Sequence, residues 1–349
     1  MKAARWHGKK DIRVEEIEEP KIQPGMVKIK VQWCGICGSD LHEYVAGPIL
    51  VPKDEPHPIS KDKAPIVMGH EFSGDVIEIG EGVTRVDVGD RVTVEPILNC
   101  GECDACRLGK YNLCVYLGFH GLAGGGGGFS EITMVPEHMV HKLPDHMTYE
   151  QGALVEPAAV ALHSIRQSQL KAGDKVAVFG AGPIGLLNIQ AAIAAGASEV
   201  YAVELSKERR ELAEKIGAIV IDPTEVDPVA EIIRLTEGGV DIAFEVTGVP
   251  SVLQQTIDVT TFEGQTVIVS IWEKKANFQP NNLVLKERHL TGIIAYRHIF
   301  PAVMDLIAQG KFQADVLITK KIDLDDIVDE GFESLVNEKN QVKILVRPS

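Results

Sequence analysis

The sequence predicts a two-domain α/β protein, a β-rich first part followed by a doubly wound parallel sheet. Three observations predict it. At 349 residues the chain is too long for one ordinary domain and comfortable for two. Its first third carries short alternating apolar runs punctuated by glycine, and from about Ala153 the texture changes to strands alternating with amphipathic helices. The composition, 45% hydrophobic and 24% charged, suits a soluble globular chain whose two cores need no disulfide staples.

In the first part the alternating runs 27–33, 73–78 and 90–95 are bounded by turn signals such as Pro24-Gly25 and Gly89-Asp90, and together they suggest a small barrel. The Pro- and Lys-rich stretch 47–65 reads as a surface loop near whatever the barrel binds. Five glycines at 124–128 read as a tight backbone turn beside a site, with a flexible linker as the competing reading, because a strand pattern resumes at 129–134. The second part begins with a buried strand at 175–179, an apolar helix at 184–195, a strand at 199–204 and a charged helix at 207–216. Strands at 241–245 and 266–270 continue a βαβ rhythm that implies a parallel sheet. After roughly Tyr296 the chain leaves that sheet, and its strand-like end at 342–346 could return to the first domain. The expected domains are therefore 1–153, containing a lobe at about 97–116, then 154–295, then a return segment 296–349.

Composition also excludes. No run of eighteen uncharged apolar residues is present, and residues 1–19 are charged and alternating without an apolar stretch, so neither a membrane span nor a signal peptide is expected. The expected location is cytoplasmic. A net charge of −15 repels phosphate backbones and anionic lipid surfaces alike, so nucleic acid is not an expected partner.

Gly180-Ala181-Gly182-Pro183-Ile184-Gly185 follows the strand 175–179 and opens the helix, the setting in which such a turn holds a dinucleotide. Gly180 permits the turn, Gly182 lets backbone approach a pyrophosphate, and Gly185 lets helix and strand pack closely. Glu204 ends the next strand, where an acid binds the ribose 2′-hydroxyl; a carboxylate there repels a 2′-phosphate, so NAD is favoured over NADP. Lys207, Arg209 and Arg210 follow on a charged helix and read as a solvated face.

Of six cysteines, Cys100, Cys103, Cys106 and Cys114 fall in one segment with spacings that supply the four thiolates of a structural zinc. A lobe with so little apolar material of its own would be ordered by the metal. Cys37, His70, Glu71 and Glu156 are spread along the chain, and taken singly each has a bland reading as a buried thiol, a core histidine or surface acids.

Together, Gly35-Ile36-Cys37-Gly38-Ser39-Asp40-Leu41-His42, the Gly69-His70-Glu71-x2-Gly74-x5-Gly80-x2-Val83 segment, the four-cysteine lobe and the Gly180 turn occur in an order that resembles zinc-dependent medium-chain alcohol dehydrogenases, over essentially the whole chain. The resemblance implies a GroES-like catalytic domain, a Rossmann cofactor domain, NAD, and two zinc ions per chain. It places the catalytic zinc on Cys37, His70 and Glu156, with Glu71 an alternative ligand or a neighbouring acid, and Asp40 orienting His70. Ser39 and His42 resemble the family's proton relay, and Pro183, Ile184, Thr247 and Val269 join the glycines in the expected cofactor contacts. Cys34 matches nothing functional and reads as packing. The wording of the insertion 47–63, of 122–128 and of Ile268-Val269-Ser270-Ile271-Trp272-Glu273 resembles the branch that interconverts (2R,3R)-butane-2,3-diol and (R)-acetoin, with diacetyl a further expected substrate. Ala295 stands where sorbitol dehydrogenases carry an arginine, and Phe119, Trp272 and Ile294 are candidate apolar walls. The alternative within the family is a sorbitol- or threonine-type dehydrogenase. A zinc-free binding protein on the same fold would show broken ligands, whereas Cys37, His70, Glu156, Ser39 and Asp40 are intact. The resemblance also implies a homo-oligomer, dimer or tetramer, formed through Rossmann-domain edges.

Overall fold

The computed structural model describes residues 1–338 and 340–348. The chain divides into two compact units, one of residues 1–156, 300–308 and 318–349, the other of 157–299 and 309–317.

The first unit is built around strand Met26–Gly35, whose alternation sends Val27, Ile29 and Val31 into the core. This strand pairs antiparallel with Glu71–Ile79, with Ile132–Pro136 and with the terminal strand Lys343–Arg347. The seven-stranded sheet runs Val140–Lys142, Arg91–Val94, Glu71–Ile79, Met26–Gly35, Lys343–Arg347, Ile318–Asp323, with Ile132–Pro136 off that path. A three-stranded sheet of Asp11–Glu16, Lys2–Gly8 and Ile66–Val67 adds Trp6 to a core that includes Phe72, Phe129, Phe332 and the thiol of Cys34.

Gly124, Gly125 and Gly126 all have positive φ, between 84° and 109°, so the glycine run is a tight turn and not a linker. The strand after it starts at Ile132, later than expected. The reason is that Gly128 and Phe129 donate instead to the carbonyls of Gly69 and Met68, at 2.7 and 2.9 Å.

The second unit holds a parallel six-stranded sheet in the order Ile219–Ile221, Glu199–Val203, Lys175–Phe179, Val240–Glu245, Thr260–Ile268, His289–Gly292. In sequence order that is 3-2-1-4-5-6, the dinucleotide-binding arrangement, with its switch point between Lys175–Phe179 and Val240–Glu245. Helix Pro183–Ala194 is apolar nearly all round and buried over most of its length, as such a pattern requires. The return of the chain is interrupted. Residues 309–317 group with the second unit and not with the return segment, because the Gln313 amide donates to Gln190 Oε1 at 2.5 Å while Ala314 and Leu317 are buried. No helix among the described residues is long and apolar enough to cross a membrane.

Candidate metal centre and cofactor turn

Cys37 caps the start of helix Gly38–Ala46, where its N–H donates to Asp40 Oδ2 at 3.0 Å. His70 leads into strand Glu71–Ile79, and pairing of that strand with Met26–Gly35 brings the two segments together. The buried His70 ring has Nε2 at 3.2 Å from Ser39 Oγ and Nδ1 at 3.5 Å from Asp40 Oδ1. The second distance is longer than a good hydrogen bond, and neither atom has a hydrogen-bond partner among the described residues. Phe119 covers the imidazole, with ring centroids 6.1 Å apart.

Cys37, His70 and Glu71 bring sulfur, nitrogen and oxygen ligand atoms within 4.8 Å of one another. Burial raises the Cys37 thiol, and Glu71 adds to the rise against the opposing pull of His70. Burial alone would lower His70, but Asp40 and Cys37 outweigh it and hold the imidazole well above its ordinary value. The donor set is that of a zinc site, and a histidine bound through Nε2 would keep its remaining proton at Nδ1, facing the orphaned Asp40 oxygen. The residues fit the ion.

Glu71 is also engaged elsewhere. Lys343, buried on the terminal strand, donates to both carboxylate oxygens at 2.9 and 2.6 Å and to the Ile36 carbonyl at 3.0 Å. Burial would lower the Lys343 pKa, but Glu71 and Cys37 outweigh it and keep the ammonium charged. Glu156, in the first turn of helix Val155–Gln167, is buried and close enough to add to that stabilisation, yet lies outside the three-residue set. His42 is exposed on the helix that carries Ser39. Lys343 was missed by sequence reasoning, since a lysine opening an edge-like strand reads as solvated.

The four lobe thiols gather within 4.8 Å of one another. Backbone N–H groups of Cys100, Cys103 and Tyr116 donate to the sulfurs of Cys114, Cys100 and Cys114, each at 3.3 Å. Such donors favour thiolates. N–H groups of Cys106 and Val115 bring Cys103 down to about 6, while burial and the hydrogen bond to Cys103 push Cys106 up to about 12. Four thiolates can coexist here only around a cation, which fits a structural zinc.

In the second unit Gly180 takes φ +98°, and a Cβ at Gly185 would collide with the Gly180 carbonyl. A Cβ at Gly182 would meet nothing nearer than the Arg209 guanidinium at 3.9 Å, so the turn presents open backbone at the start of helix Pro183–Ala194. Glu204, half-buried, accepts from Ala181 N–H at 2.7 Å and Ser206 N–H at 2.9 Å, leaving further lone pairs free. Thr247 packs its methyl over Gly180, and Val269 is buried with its N–H on the Glu245 carbonyl. The buried Glu245, another residue the sequence reading missed, accepts from Thr247 N–H and Oγ1, Gly248 N–H and Ser270 Oγ. The three basic residues after Glu204 separate by role. Arg210 pairs with Asp222 at 2.5 Å, Lys207 lies exposed near Glu211, and Arg209 leans over the turn.

Comparison with known proteins agrees with this geometry. Residues 23–145 match the alcohol dehydrogenase GroES-like domain, and residues 183–309 match the zinc-binding dehydrogenase domain. The chain belongs to the zinc-binding dehydrogenases of the alcohol dehydrogenase family. It is 63% identical to the (R,R)-butanediol dehydrogenase of Bacillus subtilis strain 168 and 44% identical to that of Neisseria gonorrhoeae, each over the whole of both chains. The crystal structure of the Bacillus subtilis 2R,3R-butanediol dehydrogenase superposes with a TM-score of 0.96, covering 100% of this chain and 99% of that one.

Two outcomes follow from the metal sites. Cys103→Ser should halve the zinc per chain and lower the melting temperature while leaving activity in the folded fraction; an unchanged metal count by atomic emission contradicts the lobe assignment. Lys343→Met strands a buried carboxylate and should cost about 3–5 kcal/mol of stability in metal-free protein. The loss should be smaller with zinc bound, where a second cation is within reach of Glu71. Calorimetry with and without zinc checks this, and equal losses contradict it.

Proposed function

We propose that this chain is an NAD-linked zinc enzyme interconverting (2R,3R)-butane-2,3-diol and (R)-acetoin, and reducing diacetyl as well. The observation that carries the reading is 63% identity over full length to the Bacillus subtilis enzyme, combined with the cluster of Cys37, His70, Ser39 and Asp40.

Cys37, His70 and Glu156 would hold the catalytic zinc. Charge supports Glu156 over Glu71, because Glu71 already shares both oxygens with Lys343. The zinc held there would supply Lewis acidity, of the kind that lowers the pKa of bound water from about 16 to about 7, toward an alcohol hydroxyl, and NAD would supply the hydride acceptor. With Nε2 on the ion, Asp40 Oδ1, 3.5 Å from Nδ1, would accept from the remaining imidazole N–H and orient the ring. Ser39 Oγ, beside His70 Nε2, would accept the substrate proton while giving up its own hydroxyl proton to the relay. His42, on the same helix and open to water, would take the relayed proton by way of the cofactor ribose and release it to solvent.

The Gly180–Gly185 turn, with Pro183 and Ile184 opening the helix, would receive the pyrophosphate on backbone amides, with Arg209 as the neighbouring cation. Glu204 offers its free lone pairs to the ribose hydroxyls and repels a 2′-phosphate; Thr247 and Val269 lie on the other side of the crevice. The protein is expected in the cytoplasm. Strand His289–Gly292 is an open sheet edge, and Phe262, Val284 and Leu285 nearby are exposed. A second copy pairing along this edge would cover them; a monomer in sedimentation equilibrium at micromolar concentration contradicts that pairing.

The purified enzyme with NADH should convert (R)-acetoin to the 2R,3R diol on chiral chromatography, with NADPH at least tenfold less efficient. Comparable efficiency on sorbitol or threonine, or preference for the 2S,3S diol, contradicts the substrate assignment. Preference for NADPH contradicts the role given to Glu204.

A further inference from the structure

We propose that Glu43 is a positioning residue that sets substrate selectivity by anchoring the insertion 47–63 to the helix bearing Ser39 and His42. Glu43 lies in the last turn of helix Gly38–Ala46 and is 1% exposed. Its carboxylate accepts three consecutive backbone N–H groups, from Ile49 at 2.9 Å, from Leu50, and from Val51 at 3.1 Å. No lysine or arginine is bonded to it among the described residues, so backbone amides alone satisfy this buried carboxylate. Charge-assisted bonds of this kind are roughly twice as strong as neutral ones. The helix end is fixed in turn, because the Glu43 carbonyl accepts from the Trp6 indole and from Gly47 N–H, both at 3.0 Å. A Cβ at Gly47 would collide with the Glu43 backbone and carboxylate, so the chain can leave the helix this closely only through glycine.

The rest of the insertion is tied to the wall of the metal cluster. Ser60 Oγ donates to the Ala123 carbonyl at 2.5 Å, and Gly125 N–H donates to Asp62 Oδ2 at 2.7 Å. His57 packs so closely on Gly118 that a Cβ there would lie 2.8 Å from its ring, and the next residue, Phe119, covers His70. At the Glu43 anchor, Ile49 and Leu50 are 51% and 43% exposed. The backbone that carries these side chains is therefore set by bonds to one carboxylate and not by packing of the side chains. Ser39 and the carboxylate that fixes Ile49 and Leu50 share a rigid helix, so apolar surface is kept in a set relation to the residues handling the hydroxyl. Discrimination of one methyl group, worth about 10- to 200-fold, depends on such a fixed apolar surface.

The selectivity part of this inference rests on the diol reading above, whereas the anchoring part does not. Hydrogen exchange should be measured by mass spectrometry on the zinc-loaded full chain, as wild type, Glu43→Gln and Glu43→Ala. Wild-type amides 49–51 should be protected. They should exchange at least tenfold faster in Glu43→Ala and at an intermediate rate in Glu43→Gln, which keeps the volume and one acceptor oxygen. Zinc content should not change. KM for the diol should rise several-fold with kcat within twofold, and the preference for the 2R,3R over the meso diol should fall at least fivefold. Unprotected amides 49–51 in the wild type overturn the anchor. Faster exchange without a change in KM or selectivity overturns the role in specificity. Should Glu43→Ala not fold, Glu43→Gln carries both readouts. Should the wild type fail to turn over the diol, that reading alone falls, and selectivity is read on the best substrate of a homologous alcohol series.

Discussion

An ammonium and a carboxylate, both shut away from water beside two metal-binding side chains, constrain the first unit more than any other contact. Lys343 and Glu71 are 272 residues apart in sequence, and their side chains are 2% and 0% exposed. Burying such a pair gains little stability against an apolar replacement, whereas removing one partner is costly. The reason to keep it lies in the neighbourhood. Cys37, Asp40, Glu71 and Glu156 together offer more negative charge than one divalent cation offsets. By taking up Glu71, Lys343 removes one competing ligand, holds the Ile36 carbonyl, and fixes the segment that delivers Cys37. The terminal strand thus supports the candidate metal site through Glu71 and Ile36.

The second unit solves a related problem with acids. A chain of net charge −15 is poorly suited to an anionic cofactor, yet the Gly180 turn presents backbone amides and a helix start where the phosphates would sit. Glu204 and Glu245, at the carboxyl ends of their strands, organise this region by accepting backbone N–H groups from the loops that line it. Arg209 is the cation nearest the open backbone. The same device recurs at Glu43 in the first unit, where one buried carboxylate orders three amides of a long insertion.

The four inner strands of the parallel sheet were legible because they are largely buried and read as apolar runs between glycine turns, whereas the short, partly exposed edge strands Ile219–Ile221 and His289–Gly292 carried no such pattern. The run 175–179 coincides with its strand residue for residue. The β-rich unit was legible in its central strands but not at its irregular edges, where the glycine run at 127–128 borrows hydrogen bonds from 68–69 and delays the next strand. Local pattern runs 309–317 on with the return segment, whereas the chain groups these residues with the second unit, where Gln313 N–H donates to Gln190. The grouping of Cys100, Cys103, Cys106 and Cys114, and of Cys37 with His70, could be read from cysteine spacing and from resemblance. Lys343, Glu43 and Glu245 could not, because a charged residue near the end of a strand or helix carries no sign of whether the fold will bury it. Arg209 shares its helix with Lys207 and Arg210, and periodicity does not distinguish which of the three leans over the turn.

The division of labour between Glu71 and Glu156 is the centre of this account, and a structure of the zinc-loaded enzyme phased on zinc anomalous scattering tests it most directly. The expected result is a catalytic ion bonded to Cys37 Sγ, His70 Nε2 and a Glu156 oxygen, with Glu71 still paired to Lys343. An ion bonded to Glu71, with Lys343 released and Glu156 remote, would contradict it.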